Sequence, residues 1–184
     1  MFVIPALVAL AAAAPLPAQV QNPDFATDTN GWLFHVTQGG QLDWDATRGD
    51  PAAGSAHVGN VWTSARYDAW SQCVALLPGA YDLEAQVASS VQTGNACELR
   101  VVVVDQPDCN IAANILVDQR VTATRNDAVF ETLAATGVAP PQAGAAAIYL
   151  GHRRADGAAP GDSDCWFDHV GFAGDLVFAG SFEP

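Results

Sequence analysis

The chain has 184 residues, half of them hydrophobic, and seven Lys plus Arg against twenty Asp plus Glu give a formal net charge of −13. That charge repels phosphate backbones and anionic bilayer surfaces, so nucleic acid is argued against as a partner. All seven cations are Arg, and sixteen of the acids are Asp and only four Glu; Asp favours turns and caps where Glu favours helices, so the acidity points to a loop-rich fold.

The first eighteen residues, MFVIPALVALAAAAPLPA, are apolar from Phe2 to Ala14 and end in small residues. This is the pattern of a secretory signal peptide over 1–18, although no Lys or Arg precedes the apolar run. Cleavage after Ala18 leaves a mature domain of 19–184, a natural size for one core. No second apolar stretch is long enough to span a bilayer, so no membrane insertion is expected after cleavage, and the expected location is secreted, periplasmic or cell-surface.

Next comes QNPDFATDTNGW (21–32), read as the first strand and turn of the mature domain, with Phe25 and Trp32 as buried anchors. Beyond it, short apolar runs alternate with Gly, Pro, Asp and Asn clusters, the spacing of an all-β protein. The runs are LFHVT (33–37), QLDWDA (41–46) and SAHVGNV (55–61), then SQCVALL (71–77) and AYDLEAQVA (80–88). The last two read as a hairpin around Pro78-Gly79. In AYDLEAQVA, Tyr81, Leu83, Ala85 and Val87 alternate with polar residues, as in a half-buried strand. CELRVVVVD (97–105) is β-branched and continuous, as a strand covered on both faces is. NILVDQRVTA (114–123), AVFETLAATGVA (128–139), AAAIYLGHR (145–153) and CWFDHVGFA (165–173) complete an all-β, two-sheet antiparallel sandwich of jelly-roll type. The tail 174–184 reads as a further edge strand or an appended segment.

Four cysteines behind an export signal imply two disulfides, and no C-x-x-C pair suggests zinc instead. If strands run up and down, Cys97 and Cys165 open their strands at the same end. From Cys97 the strand travels roughly 23 Å before Cys109 starts back, so Cys97–Cys165 with Cys73–Cys109 is favoured. The pairing Cys73–Cys165 with Cys97–Cys109 stays open.

A sugar ring presents apolar C–H faces that stack on aromatic rings, while short polar side chains satisfy its hydroxyls. The segment NVWTSARYDAWSQ (60–72) has that composition. Trp62, Arg66, Tyr67, Asp68 and Trp70, with Trp44 from QLDWDA, are therefore the candidate ligand-binding residues, and Trp32 and Trp166 are assigned to the core. No G-x-S-x-G, H-E-x-x-H, P-loop or dinucleotide fingerprint is present, so no catalytic residue is assigned. Arg153-Arg154 reads as a solvated loop end.

The N-x-DF…GW entry (Asn22, Asp24, Phe25, Gly31, Trp32), the SQ-x-V-x-L…PG-x-Y-x-L stretch (Ser71 to Leu83) and the FD-x-V last strand (Phe167, Asp168, Val170) resemble carbohydrate-binding modules of families 4, 9 and 22. The resemblance spans nearly all of 21–173. It implies a galactose-binding-like jelly roll that binds a polysaccharide or other glycan without cleaving it. It also implies a structural calcium bridging the first turn and the last strand, here through Asp24 and Asp168. Two departures stand out: Ala26 replaces the family's acid after DF, and Asp168-His169 stands where the family has two Asp. The second reading is a cell-envelope structural or protein-interaction sandwich with no sugar site.

Overall fold

Residues 20–36, 40–60, 66–109, 114–156 and 162–174 are described by a computed structural model. The leader 1–18, Trp62, the Arg66 side chain and the tail beyond Gly174 lie outside the described residues. The strands are β1 Leu33–Val36, β2 Gln41–Asp45, β3 Ser55–Asn60, β4 Arg66–Ala75, β5 Gly79–Ser90, β6 Asn95–Val104, β7 Ile115–Thr122, β8 Glu131–Ala139, β9 Ala145–Arg154 and β10 Ser163–Gly174. They form two five-stranded antiparallel sheets, ordered β1-β4-β9-β6-β7 and β2-β3-β10-β5-β8, packed as a jelly-roll sandwich. We call them the first and second sheet.

Alternation builds the core. Because successive side chains point to opposite faces, Trp70 and Val74 of β4, Leu99, Val101 and Val103 of β6, and Ile148 and Leu150 of β9 all face the second sheet. Val58, Leu83, Val87 and Phe167 answer from that side, each 0 % exposed. Each such side chain contributes about 1.5–3 kcal/mol through burial. Strand β6 is covered on both faces, as its unbroken valines predict: Val102 and Val104 join Ala69, Ala145, Ala147 and Tyr149 in a second apolar cluster on the first sheet's outer side.

SQCVALL and AYDLEAQVA do not pair as a hairpin. Strand β4 lies in the first sheet and β5 in the second, so the chain crosses the sandwich between them. Leu76, 2 % exposed, plugs the core at the crossing, and Gly79 turns the chain at φ +140°, a conformation that a residue with a Cβ rarely adopts. The entry segment differs too, because 21–32 forms turns rather than a strand. Asn22 and Phe25 have positive φ, Pro23 offers no N–H, and the Asn22 amide donates to the Asp28 carbonyl and carboxylate, so local bonds displace a ladder. Phe25 and Trp32 are nonetheless buried, with rings 5.4 Å apart.

Both disulfides join the favoured partners. Cys97–Cys165 bridges β6 to β10 through the core, and Cys73–Cys109 ties β4 to the loop that follows β6. They close 68 and 36 residues respectively. By chain entropy, losing either costs about 4 kcal/mol, and the buried pair adds a cavity penalty. Replacing Cys97 and Cys165 together by Ala should therefore lower the thermal midpoint more than replacing Cys73 and Cys109, as measured by calorimetry.

Candidate functional site

Strand alternation divides the residues of the 60–72 segment. On β4, Tyr67 points outward, whereas Asp68 and Trp70 point inward. Trp70 is 2 % exposed and its indole N–H donates to the His57 carbonyl at 3.1 Å, so it is a core anchor and not a stacking platform. Asp68 is fully buried and accepts from the Asn60 amide at 3.0 Å, away from the outer face. Trp44 lies on edge strand β2 of the other sheet, 36 % exposed, with its indole N–H on the Phe25 carbonyl at 2.7 Å. The candidate residues do not share one face.

What joins Tyr67 is a cluster from three other strands of the first sheet. The Tyr67 and Tyr149 ring centres are 6.3 Å apart, and the Arg100 guanidinium lies 5.7 Å from one and 5.3 Å from the other. Arg100 is aimed by a two-point bond to Asp118, 2.8 Å on each arm. That bond holds the Asp118 carboxyl below its ordinary range and raises Arg100. Buried Glu98 sits beneath Arg153 and Arg120 in the next row. Gly151 makes the packing possible, since a Cβ there would stand 2.5 Å from the Tyr67 ring. Burial pushes the Tyr67 hydroxyl far above the usual tyrosine range and raises Tyr149 as well. Tyr149 is only 5 % exposed and Tyr67 half-buried, so the patch is a neutral, largely covered aromatic cluster flanked by fixed guanidinium donors and carboxylate acceptors. Arg100, Tyr149, Glu98 and Arg153 were legible in principle, because each lies at an outward position of a recognisable strand.

One further assignment changes and another is refined. Arg153 and Arg154 are strand residues on opposite faces of β9, and Arg154 is only 2 % exposed, so they are not a solvated loop end. Trp166 is buried on the outer side of the second sheet, 4.0 Å beneath the Arg48 guanidinium and stacked on His57, with its indole N–H on Asp45.

The pair implied for calcium meets at a bulge in β10 between Asp168 and Gly171. Asp168, 1 % exposed, accepts from the Asp50 and His169 backbone N–H groups at 2.7 Å each, and burial raises its carboxyl to about 6. Asp24 instead contacts the His169 ring nitrogen at 2.8 Å. Among the described residues no three His, Cys, Asp or Glu side chains converge on a metal position. Backbone oxygens do converge beside Asp168: a Cβ on Gly49 would lie 1.9 Å from the Ala52 carbonyl, 2.6 Å from the Gly54 carbonyl and 2.9 Å from Asp168 Oδ2. Backbone carbonyls and a carboxylate are oxygen donors of the kind a hard cation accepts.

No protein-family model matches the chain, and no curated protein matches it. Solved structures do. The enzymatically active domain of tailspike protein 4 from bacteriophage CBA120 superposes with a TM-score of 0.63 at 14 % identity, over 85 % of this chain and 21 % of that one. A family 61 carbohydrate-binding module in complex with β-1,4-galactotriose gives 0.58 at 13 % identity, over 86 % and 99 %. A family 16 module gives 0.59 at 15 % identity, over 84 % and 98 %. Structures containing modules of families 4 and 22 also match, with TM-scores of 0.55 and 0.56. The fold is thus the β-sandwich of carbohydrate-binding modules.

His152 tests the electrostatics of the interior. It is 0 % exposed, neither ring nitrogen has a hydrogen bond among the described residues, and burial, helped by Arg154, lowers its pKa to about 4 from 6.5. The folded value lies below the unfolded one, so the neutral ring's contribution is complete above the unfolded value and is lost as pH falls toward about 4. Asp168 acts oppositely in the same window, because its folded value is raised to about 6 from 3.8. His152→Leu should remove the destabilising component alone. Its thermal midpoint should fall less than the wild type's between about pH 7 and about pH 4.5, by roughly 5–10 °C.

Proposed function

We propose that this protein is an exported carbohydrate-binding module that holds glycan without cleaving it, on the outer face of the first sheet. The observation that carries the reading is the Tyr67, Tyr149 and Arg100 cluster with Glu98 and Arg153 beside it, on a sandwich shared with saccharide-binding modules. The half-buried Tyr67 ring supplies contact area at low entropic cost, and a clamped guanidinium presents donors to hydroxyls without further ordering. Two disulfides support an oxidising, extracytoplasmic location.

Affinity electrophoresis through gels containing β-glucan, galactan, xylan or mannan tests the reading. At least one polysaccharide should retard the protein, and Arg100→Ala or Tyr67→Ala should weaken that retardation roughly tenfold or more. Release of reducing ends should stay at the buffer level. The alternative, a protein-interaction or envelope sandwich, draws on Leu33 and Phe34, which are 69 % and 67 % exposed on edge strand β1. Free migration through every gel would favour it.

For calcium, we propose Asp168 and the Ala52 and Gly54 carbonyls as ligands, with Asp24 outside the set. Adding calcium to chelator-treated protein should then raise the thermal midpoint. Asp168→Asn should abolish the rise and Asp24→Asn should keep it.

A further inference from the structure

A second candidate site lies at the end of the sandwich where β2 and β10 begin and β3 ends. A cavity of about 580 Å³ opens there among Gly40, Gln41, Gly59, Asn60, Ser163 and Asp164, with Asp162 at its rim. That volume suits a small sugar unit. Among the described residues the lining holds no aromatic ring, so these residues would hold a ligand by hydrogen bonds.

Three observations show polar groups set in advance. Ser163 is 0 % exposed, and its hydroxyl oxygen already accepts from the Gln92 N–H at 3.0 Å and the Asn95 amide at 2.8 Å. Ser163 thus stands on the inward face of β10, opposite Asp164, and fixes the strand that carries it. Asp164 has one carboxylate oxygen held by the His57 Nε2 at 2.9 Å, while Asp43 holds the other ring nitrogen at 2.6 Å. This fixes the carboxylate and leaves its second oxygen to accept. Behind the wall, Asn60 is bonded to fully buried Asp68, which in turn lies across the ladder from His152, whose ring nitrogens have no hydrogen bond among the described residues. In the lining the Asp164 carboxylate accepts and the exposed Gln41 amide can donate, which matches hydroxyl groups, since they do both. The carboxylates of Asp162 and Asp164, with no Arg among the described lining residues, disfavour anions.

We propose that this cavity binds one sugar unit that carries no negative charge, through its hydroxyls, as a second site beside the tyrosine face. The proposal deepens the carbohydrate reading and rests on it. Asp164 contacts the sugar, and His57 is a positioning residue for Asp164.

The test titrates ¹⁵N-labelled full-length protein with galactotriose, cellotriose, a glucosamine trimer and trigalacturonate. At least one of the first three should shift the amide signals of Gly40, Gly59 and Ser163, and trigalacturonate should not. Asp164→Asn should weaken that binding at least tenfold with an unchanged amide spectrum elsewhere, while Arg100→Ala should leave it intact. His57→Gln, which frees the carboxylate without removing it, should weaken binding less than Asp164→Asn does. If the sugars move only signals around Tyr67 and Tyr149, or Asp164→Asn binds as the wild type does, the cavity proposal falls while the module reading stands. If no sugar moves any signal and no polysaccharide retards the protein, both fall.

Discussion

The single apolar layer between the two sheets, stapled by Cys97–Cys165, is the constraint from which the other features follow. Both cysteines are fully buried, and they join β6 of one sheet to β10 of the other in the same layer as Leu99, Val58 and Phe167. Once one face of each strand is committed to that layer, the opposite face is committed to the outside, since a one-residue slip would exchange every side chain. Tyr67 faces outward because Trp70 faces inward, and Arg100 because Leu99 and Val101 do.

The two ends of the sandwich are closed differently. At one, the entry segment docks on the β10 bulge: the Val170 N–H donates to the Pro23 carbonyl, Asp24 meets His169, and Gln72 binds the backbone of Gln21 and Gly31. At the other, apolar packing gives way to buried Asp68, His152 and Arg154 near a polar cavity. Burying charged groups is costly unless they are paired, so this end needs hydrogen bonds that the dry middle does not. The fold confines this polarity to its margins and keeps the middle dry.

Much of the architecture was legible because it is written in period-two alternation and punctuation. The runs at 80–88, 97–105 and 145–153 each fall on an observed strand, and the disulfide pairing followed from which strand ends lie together. The supposed hairpin at Pro78-Gly79 failed because a turn signal states that the chain reverses but not whether it stays in its sheet. The candidate site was less legible. Composition drew attention to 60–72 as a block, whereas a strand separates neighbours: Tyr67 and Asp68 are adjacent in sequence and face opposite sides of a sheet. Tyr149 and Arg100 sit far from Tyr67 along the chain, and only the β4-β9-β6 order makes them neighbours.

Local chemistry alone thus determined the fold class, most strand positions and the buried roles of Phe25 and Trp32, and it favoured one cysteine pairing over the other, because these depend on alternation, turn residues and chain reach. The tertiary structure decided which sheet each strand joined, which aromatics were buried, and that Asp168 accepts the Asp50 and His169 backbone N–H groups while Asp24 turns to His169. Those outcomes depend on contacts between strands distant in sequence, and alternation along one strand carries no information about its neighbours.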